Sequence, residues 1–318
     1  VADPQTAVDP STAVIDAAAV APITDGAQQL PATVVDTQGT TVTVTDTSRI
    51  LALDLYGSLS RIVFELGLGD SVVGRDVSSD FEEIADRPLV TQNGHDLNAE
   101  AILDLAPTVI ITDSSLGPWD TILQMRDAGI PVVVVDSHRS IGTIDTLVDE
   151  VSAAVGLAQR GEILKSRLDA SIASTIADIA AIAPADDARK LRMVFLYVRG
   201  QSGIYYLFGE GSGADDLVTS LGGIDVAAEI GWSGMRPLTD EGLIAAAPDL
   251  VLMMTGGLES VDGVDGLLEA VPALAQTPAG QNRRVVDMAD TQILSFGPDT
   301  PRTLEALAVA IYAPDSAR

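Results

Sequence analysis

Cysteine is absent from this chain of 318 residues, and histidine occurs only twice. The first absence excludes disulfide scaffolds, cysteine–zinc sites and thiol nucleophiles. The second leaves too few imidazoles for a multi-histidine zinc or manganese site. Positive charge is also scarce, with 18 Lys and Arg against 46 Asp and Glu and a formal net charge of −28. Such a surface argues against nucleic acid, whose phosphates require dense basic side chains, and its simplest consequence is solubility with low self-association. No run approaches the roughly 20 apolar residues that cross a bilayer, and no basic-then-apolar signal segment stands at Val1. What the chain does have is a hydrophobic fraction of 47% and length enough for two lobes with separate cores.

Residues 1–29 are rich in Ala, Val, Thr, Asp and Pro with little periodicity, which predicts a flexible tether. Ala32 to Val35 and Thr40 to Val44 flank Asp36-Thr37-Gln38-Gly39, the pattern of a hairpin. Strand and helix signals then alternate on short connections, with strands at 49–53, 72–74, 108–111 and 131–135 and helices at 56–66, 99–105 and 119–128. From Thr143 to about Ala183 the residues favour helix, with a weak point near Gly156. After Pro184 the alternation resumes, with strands at 191–198, 250–254 and from 284, and helices at 212–221, 241–246 and 303–311. The predicted class is α/β: two Rossmann-like lobes, each a mostly parallel sheet flanked by helices, at 30–142 and 184–318, joined by one long backbone helix at 143–183.

An internal repeat supports the two lobes. Leu97-Asn98-Ala99-Glu100-Ala101-Ile102 with Ala106-Pro107-Thr108-Val109-Ile110-Ile111 has a counterpart in Leu238-Thr239-Asp240-Glu241-Gly242-Leu243 with Ala247-Pro248-Asp249-Leu250-Val251-Leu252. Leu238 follows Leu97, and Pro248 follows Pro107, by the same 141 residues. Paired lobes on a stiff helix are expected to enclose a cleft, where small ligands bind.

Two places in the sequence carry candidate ligand chemistry. His95 stands in the polar stretch Thr91-Gln92-Asn93-Gly94-His95-Asp96, just before the repeated helix, whereas His138 follows the fourth strand. Tyr197 and Arg199 stand two apart at a strand end, so their side chains leave on one face. A guanidinium beside a phenol, together with a metal ion, favours phenolate, a hard donor suited to ferric iron.

These residues resemble the helical-backbone (class III) substrate-binding proteins of haem, siderophore and cobalamin importers, over about Leu30 to Ile311. The carriers are Thr40-Thr41-Val42-Thr43-Val44 with Ser48-Arg49-Ile50, the paired Glu-helix-Ala-Pro-strand repeats and the long helix. Within that class the His95 and Tyr197-x-Arg199 spacing resembles the HmuT type of haem-binding protein. The resemblance implies haem b, held as ferric haem in the cleft, with His95 and Tyr197 as axial ligands and Arg199 supporting the tyrosine. It places Met254, or else Met253, near the haem, with core packing as the plain alternative. Arg236, 141 residues after His95, is read either as a propionate partner or as a solvated surface charge. Tyr56, Trp119 and Trp232 are candidates for packing on the porphyrin, or for the core. Glu100 and Glu241 are implied to dock arginines of an ABC-transporter permease, although carboxylates in a helix's first turn are favourable without any partner. The resemblance further implies a monomeric, exported lipoprotein at the outer face of the cytoplasmic membrane, with upstream surface haem-binding proteins as further partners. The lipid-bearing cysteine of that pattern is missing here, so anchoring is implied by the resemblance alone. A ferric siderophore or cobalamin on the same fold is the alternative ligand. An enzyme of metal-chelatase type is the remote one, since no phosphate loop, nucleophile elbow or paired catalytic carboxylates are found.

Overall fold

The computed structural model describes residues 3–15, 19–237 and 239–314. The chain divides into two compact units, one of Ala17–Ala170 with Ser295–Pro298 and one of Val1–Asp16, Ser171–Leu294 and Asp299–Arg318.

The opening segment corrects the expectation of a tether at 1–29. Strand β1 (Ser11–Ala13) is a parallel edge strand of the second unit's sheet. Asp9 N–H donates to the Asn282 carbonyl at 3.0 Å, and the buried Arg284 guanidinium donates to Asp9 O and Ser11 Oγ at 3.2 and 3.1 Å. Further on, Ile23 is buried and its N–H donates to Glu65 O at 2.8 Å, while Gln29 N–H donates to Gly156 O at 2.8 Å. The segment is held mainly through its backbone, and backbone bonding leaves no side-chain period in a sequence. Val1, Ala2 and residues 16–18 of the expected tether lie outside the described residues, as does Leu238 of the repeat.

In the first unit, β2 (Ala32–Val35) and β3 (Thr41–Val44) form the expected hairpin. Strand β4 (Ile50–Leu53) is followed by helix α1 (Ser58–Val63), and the short strands β5 (Thr91–Gln92) and β6 (Asp96–Leu97) form a second hairpin. Helix α2 (Ala99–Asp104), β7 (Val109–Thr112), α3 (Trp119–Asp127), β8 (Val132–Val134) and α4 (Ile144–Ala154) complete the unit. Strands β4, β7 and β8 are parallel in that order. The strand expected at 72–74 is reduced to a single bridge between Val72 and Ile50. Leu51, Leu53, Ile110, Val132 and Val134 share a core with Ile102, Ile122 and Met125 of the helices.

The helical stretch expected at 143–183 is interrupted at its weak point near Gly156, and one long helix follows the break. Helix α4 ends before Gly156, and α5 (Ala158–Ile182) carries the chain from one unit to the other. Gly156 adopts φ +67°, and a Cβ there would lie 2.2 Å from the Gln29 carbonyl oxygen, so only glycine fits this break.

In the second unit, β9 (Arg192–Arg199), β10 (Ile204–Phe208), α6 (Ala214–Ser220), β11 (Ile224–Asp225), α7 (Val226–Glu229), β12 (Met235–Pro237), α8 (Asp240–Ala246), β13 (Leu250–Met254), α9 (Thr255–Glu259), α10 (Gly263–Ala270), α11 (Pro278–Gln281), β14 (Val285–Met288) and α12 (Thr300–Tyr312) follow in turn. The sheet order is β1-β14-β13-β9-β10-β12, with β11 also on β9. Strands β1, β14, β13 and β9 run parallel, whereas β10 and β12 are added antiparallel at one side.

The repeat is structural as well as sequential. Asn98 caps α2 by accepting from Ala101 N–H, and Thr239 caps α8 by accepting from Gly242 N–H. Ala106 and Ala247, each before a proline that excludes helical backbone, both adopt φ +42°. Arg49 and Arg192 each donate to a carbonyl at the end of the repeated helix, Leu105 O at 2.5 Å and Ala246 O at 3.1 Å.

Candidate functional site

Side chains alternate across β9, so Val194, Leu196 and Val198 enter one core while Phe195, Tyr197 and Arg199 share the other face. Antiparallel pairing sets Phe208 against Phe195 and Tyr206 against Tyr197. The Phe195 and Phe208 rings stack at 5.1 Å between centroids, and Tyr197 stacks on Phe208 at 5.8 Å. The result is an aromatic row leading to the carboxyl end of β9. Open α/β sheets bind their ligands outside the carboxyl ends of their strands.

Arg199 closes the row. Its guanidinium carbon sits 4.5 Å from the centre of the Tyr197 ring, a cation–π distance. Nη1 donates to Val198 O at 2.9 Å and Nη2 to Asp290 Oδ2 at 2.7 Å, and Nη2 lies 3.7 Å from Met254 Sδ. Tyr197, Arg199 and Met254 are therefore brought together, at the adjacent ends of β9 and β13. Tyr197 Oη has no hydrogen-bond partner among the described residues. Asp290, just past β14, is a member of the cluster that the sequence reading missed. The available signal was Gly256-Gly257 at the start of α9: Gly256 N–H donates to Asp290 Oδ1 at 2.8 Å, and a Cβ on Gly256 would lie 2.9 Å from Asp290 Oδ2.

The remaining candidates stand elsewhere. His95 lies in the β5–β6 turn of the first unit and is exposed, after Asn93 and Gly94 at φ +49° and +92°. Arg236 is exposed on the edge strand β12, where it donates to Ser233 O at 3.1 Å and Ser233 Oγ at 3.2 Å. Glu100 and Glu241 occupy the first turns of α2 and α8 and are exposed. Glu100 borders a groove of about 680 Å³ with Gln92, Asp96, Asn98, Thr121 and Gln124. His138 is engaged by its own loop, with Nδ1 2.7 Å from Asp136 Oδ1. Trp232 donates Nε1–H to Leu207 O at 3.2 Å and packs on the second unit's core, and Trp119 packs on the first unit's core.

A second cluster was not foreseen. In the first unit Asp54 follows β4, Asp113 follows β7, and both are fully buried with Asp76. Arg139 Nη2 reaches Asp113 Oδ2 at 2.6 Å and Asp54 Oδ2 at 3.2 Å, while its guanidinium covers the Tyr56 ring at 5.0 Å. Asp76 accepts from the backbone N–H groups of Asp54 and Ser79. Burial, reinforced by the charge of Asp54, pushes the Asp76 carboxyl up to about 7. The same two causes push Asp113 up to about 6, against the pull of Arg139. Burial likewise raises the Tyr56 phenol. Tyr56 is thus packed against a buried ion network of its own unit.

Residues 55–291 match the family model described as periplasmic binding protein. The chain is a member of the periplasmic binding protein family. Among solved relatives of this periplasmic binding protein, the heme binding protein HmuT is 43% identical, covering 98% of this chain and 99% of its own, with a TM-score of 0.89. HmuT has also been solved with a histidine, a tyrosine, and the arginine two positions after that tyrosine each replaced by alanine. The periplasmic heme-binding protein RhuT from Roseiflexus sp. RS-1 is 36% identical over 86% of this chain and 100% of its own, with a TM-score of 0.75. An uncharacterized ABC transporter substrate-binding lipoprotein of Bacillus subtilis, YvrC, is 26% identical over 90% of this chain and 87% of its own.

Proposed function

We propose that this protein binds ferric haem b and delivers it to the permease of an ABC-type haem importer, with Tyr197 and His95 as the axial ligands of the iron. The observation that carries the reading is the Tyr197–Arg199 pair at the carboxyl end of β9. There a phenol whose oxygen has no hydrogen-bond partner among the described residues lies under a guanidinium 4.5 Å from the ring centre. A phenol oxygen is a hard donor, and tyrosine is an axial ligand type for haem iron. The buried Phe208 ring stacks on Tyr197 and fixes it from beneath, leaving the partly exposed Tyr197 to face a ligand. The similarity to HmuT and RhuT, both described as heme-binding, supports the same ligand.

In this reading Met254 flanks the haem, Arg236 pairs with a propionate, and Glu100 and Glu241 meet cationic side chains of the permease. The protein works as a binding component with no chemistry of its own, exported and held by a lipid at the outer face of the cytoplasmic membrane. Titration with ferric haem tests the ligand: the expected result is a saturable Soret change, with altered spectra for Tyr197→Ala and for His95→Ala. A wild type without a saturable change ends the haem reading. Saturable binding with unaltered spectra in both variants would keep haem and remove the two ligands.

A further inference from the structure

Helices α2 and α8 each bury one aliphatic side chain and leave the next one outside. Ile102 and Leu243 are fully buried in the cores of their units, whereas Leu103 and Ile244 are each 44% exposed. One step along a helix turns a side chain by about 100°, which carries these two off the face that meets the core. A single exposed aliphatic residue is ordinary. The position of this pair is not. Among the exposed large apolar side chains of the described residues, only Leu103 and Ile244 stand 141 positions apart, the spacing of the repeat.

Each of the two shares its helix face with carboxylates. Glu100 precedes Leu103 by three residues and Asp104 by four, while Asp240 and Glu241 precede Ile244 by four and three. Those spacings set side chains next to one another on a helix. All four carboxylates are exposed, and among the described residues no ion pair engages any of them. A glutamate in a first turn is favourable by itself, but an exposed Leu or Ile gains nothing from folding, and Asp104 at the end of α2 works against the helix dipole.

We propose that Leu103 and Ile244 are apolar anchors of a docking surface carried once on each unit, for a protein partner that offers the same socket twice, an apolar recess beside a cationic side chain. The inference rests on, and deepens, the reading of Glu100 and Glu241 as permease-docking residues. Charge selects the class of partner. A chain of net charge −28, with two carboxylates at each patch, repels anionic lipid and nucleic acid and suits a protein surface bearing cations. In the first unit the groove of about 680 Å³ beside Glu100 is lined by Gln92, Asp96 and Asn98, whose side-chain oxygens can accept from such a cation. The carboxylates steer and orient the encounter, and the aliphatic side chains add affinity that salt does not screen.

The test measures binding of the haem-loaded protein to the ABC importer complex it serves, held in lipid nanodiscs, at about 0.1 M and about 1 M salt, where screening lengths differ about threefold. Leu103→Ala and Ile244→Ala are each expected to weaken binding about tenfold at both salt concentrations, as loss of a partly buried aliphatic contact should. The double variant is expected to lose about a hundredfold, because the two positions share no partner. Val35→Ala, on the hairpin strand β2 and 70% exposed, is expected to bind as wild type does. Haem titration of every variant is expected to match wild type, which shows that the fold is kept. Undiminished binding in both alanine variants, with charge reversal at Glu100 and Glu241 still effective, overturns the inference and leaves the docking reading standing. A loss at only one of the two positions, a loss that disappears at high salt, or an equal loss in Val35→Ala also overturns it. Failure of the charge reversal and the alanine variants alike to weaken binding refutes the docking reading itself.

Discussion

Raising the pH from 6 to 8 is expected to weaken the fold, through the carboxylates buried behind β4 and β7. Asp76 is fully buried, and that burial, with Asp54 beside it, lifts its carboxyl from 3.8 to about 7. In the unfolded chain the group titrates near its ordinary value. Between those two limits the folded state binds the additional proton, so stability is lost as pH rises through the folded value. The contribution is fully present below 3.8 and gone above about 7. Across pH 6 to 8 the loss from Asp76 alone is about 1.4 kcal/mol, close to one proton over one effective pH unit. Asp113, lifted to about 6, adds a smaller loss of the same sign. Urea unfolding of the ligand-free protein at pH 6, 7 and 8 and constant ionic strength measures this, with Asp76→Ala alongside. The variant removes the titrating group, so most of the slope should vanish whatever its overall stability. A wild-type profile that is flat or climbs from pH 6 to 8, or a slope unchanged in Asp76→Ala, refutes the reasoning.

Deleting residues 1–15 removes β1 and strips Arg284 of Asp9 O and Ser11 Oγ, and should destabilise the second unit by at least about 2 kcal/mol, at about 1 kcal/mol for each of the two Arg284 bonds and before the β1–β14 ladder is counted; a flexible tether would give no change in urea midpoint. Gly256→Ala places a Cβ 2.9 Å from Asp290 Oδ2, so it is expected to disturb the Arg199–Asp290 pair and to alter the Soret spectrum of the haem-loaded protein; an unaltered spectrum would count against a place for that pair in the ligand site. Charge reversal at both Glu100 and Glu241 should lower importer-dependent haem uptake at least about tenfold while leaving haem binding intact, because like charges facing across an interface cost several kcal/mol. Unchanged uptake would remove the docking role.

The alternation of strand and helix was legible because hydrophobic period and proline or glycine punctuation act locally. The repeat was legible for the same reason, and its caps, left-handed alanines and arginine contacts extend it. Tyr197 with Arg199 could be read because a strand's period of two puts both on one face. Asp290 could not, since it meets Arg199 from 91 residues away and only the order of β9, β13 and β14 brings them together. The antiparallel β10 escaped because a reading of parallel alternation passes over Ile204-Tyr205-Tyr206-Leu207-Phe208, although its aromatic and β-branched composition suits a strand. Asp54 and Asp113 each follow a buried apolar strand, a visible coincidence. That a lone Arg139 reaches both is set by side-chain geometry, which spacing does not record. The strand β1 was hidden by a composition typical of unfolded linkers.

That first strand has a consequence for how the chain matures. Thr12 bonds to Asp287, 275 positions further along the chain, so β1 leaves the ribosome long before the strand that receives it. At about 5–20 residues per second, synthesis of that interval takes roughly 14–55 s. Through that time β1 is made but the strand that receives it is not, and the sheet of the second unit cannot close. Pairings so distant in sequence also form slowly once the chain is complete.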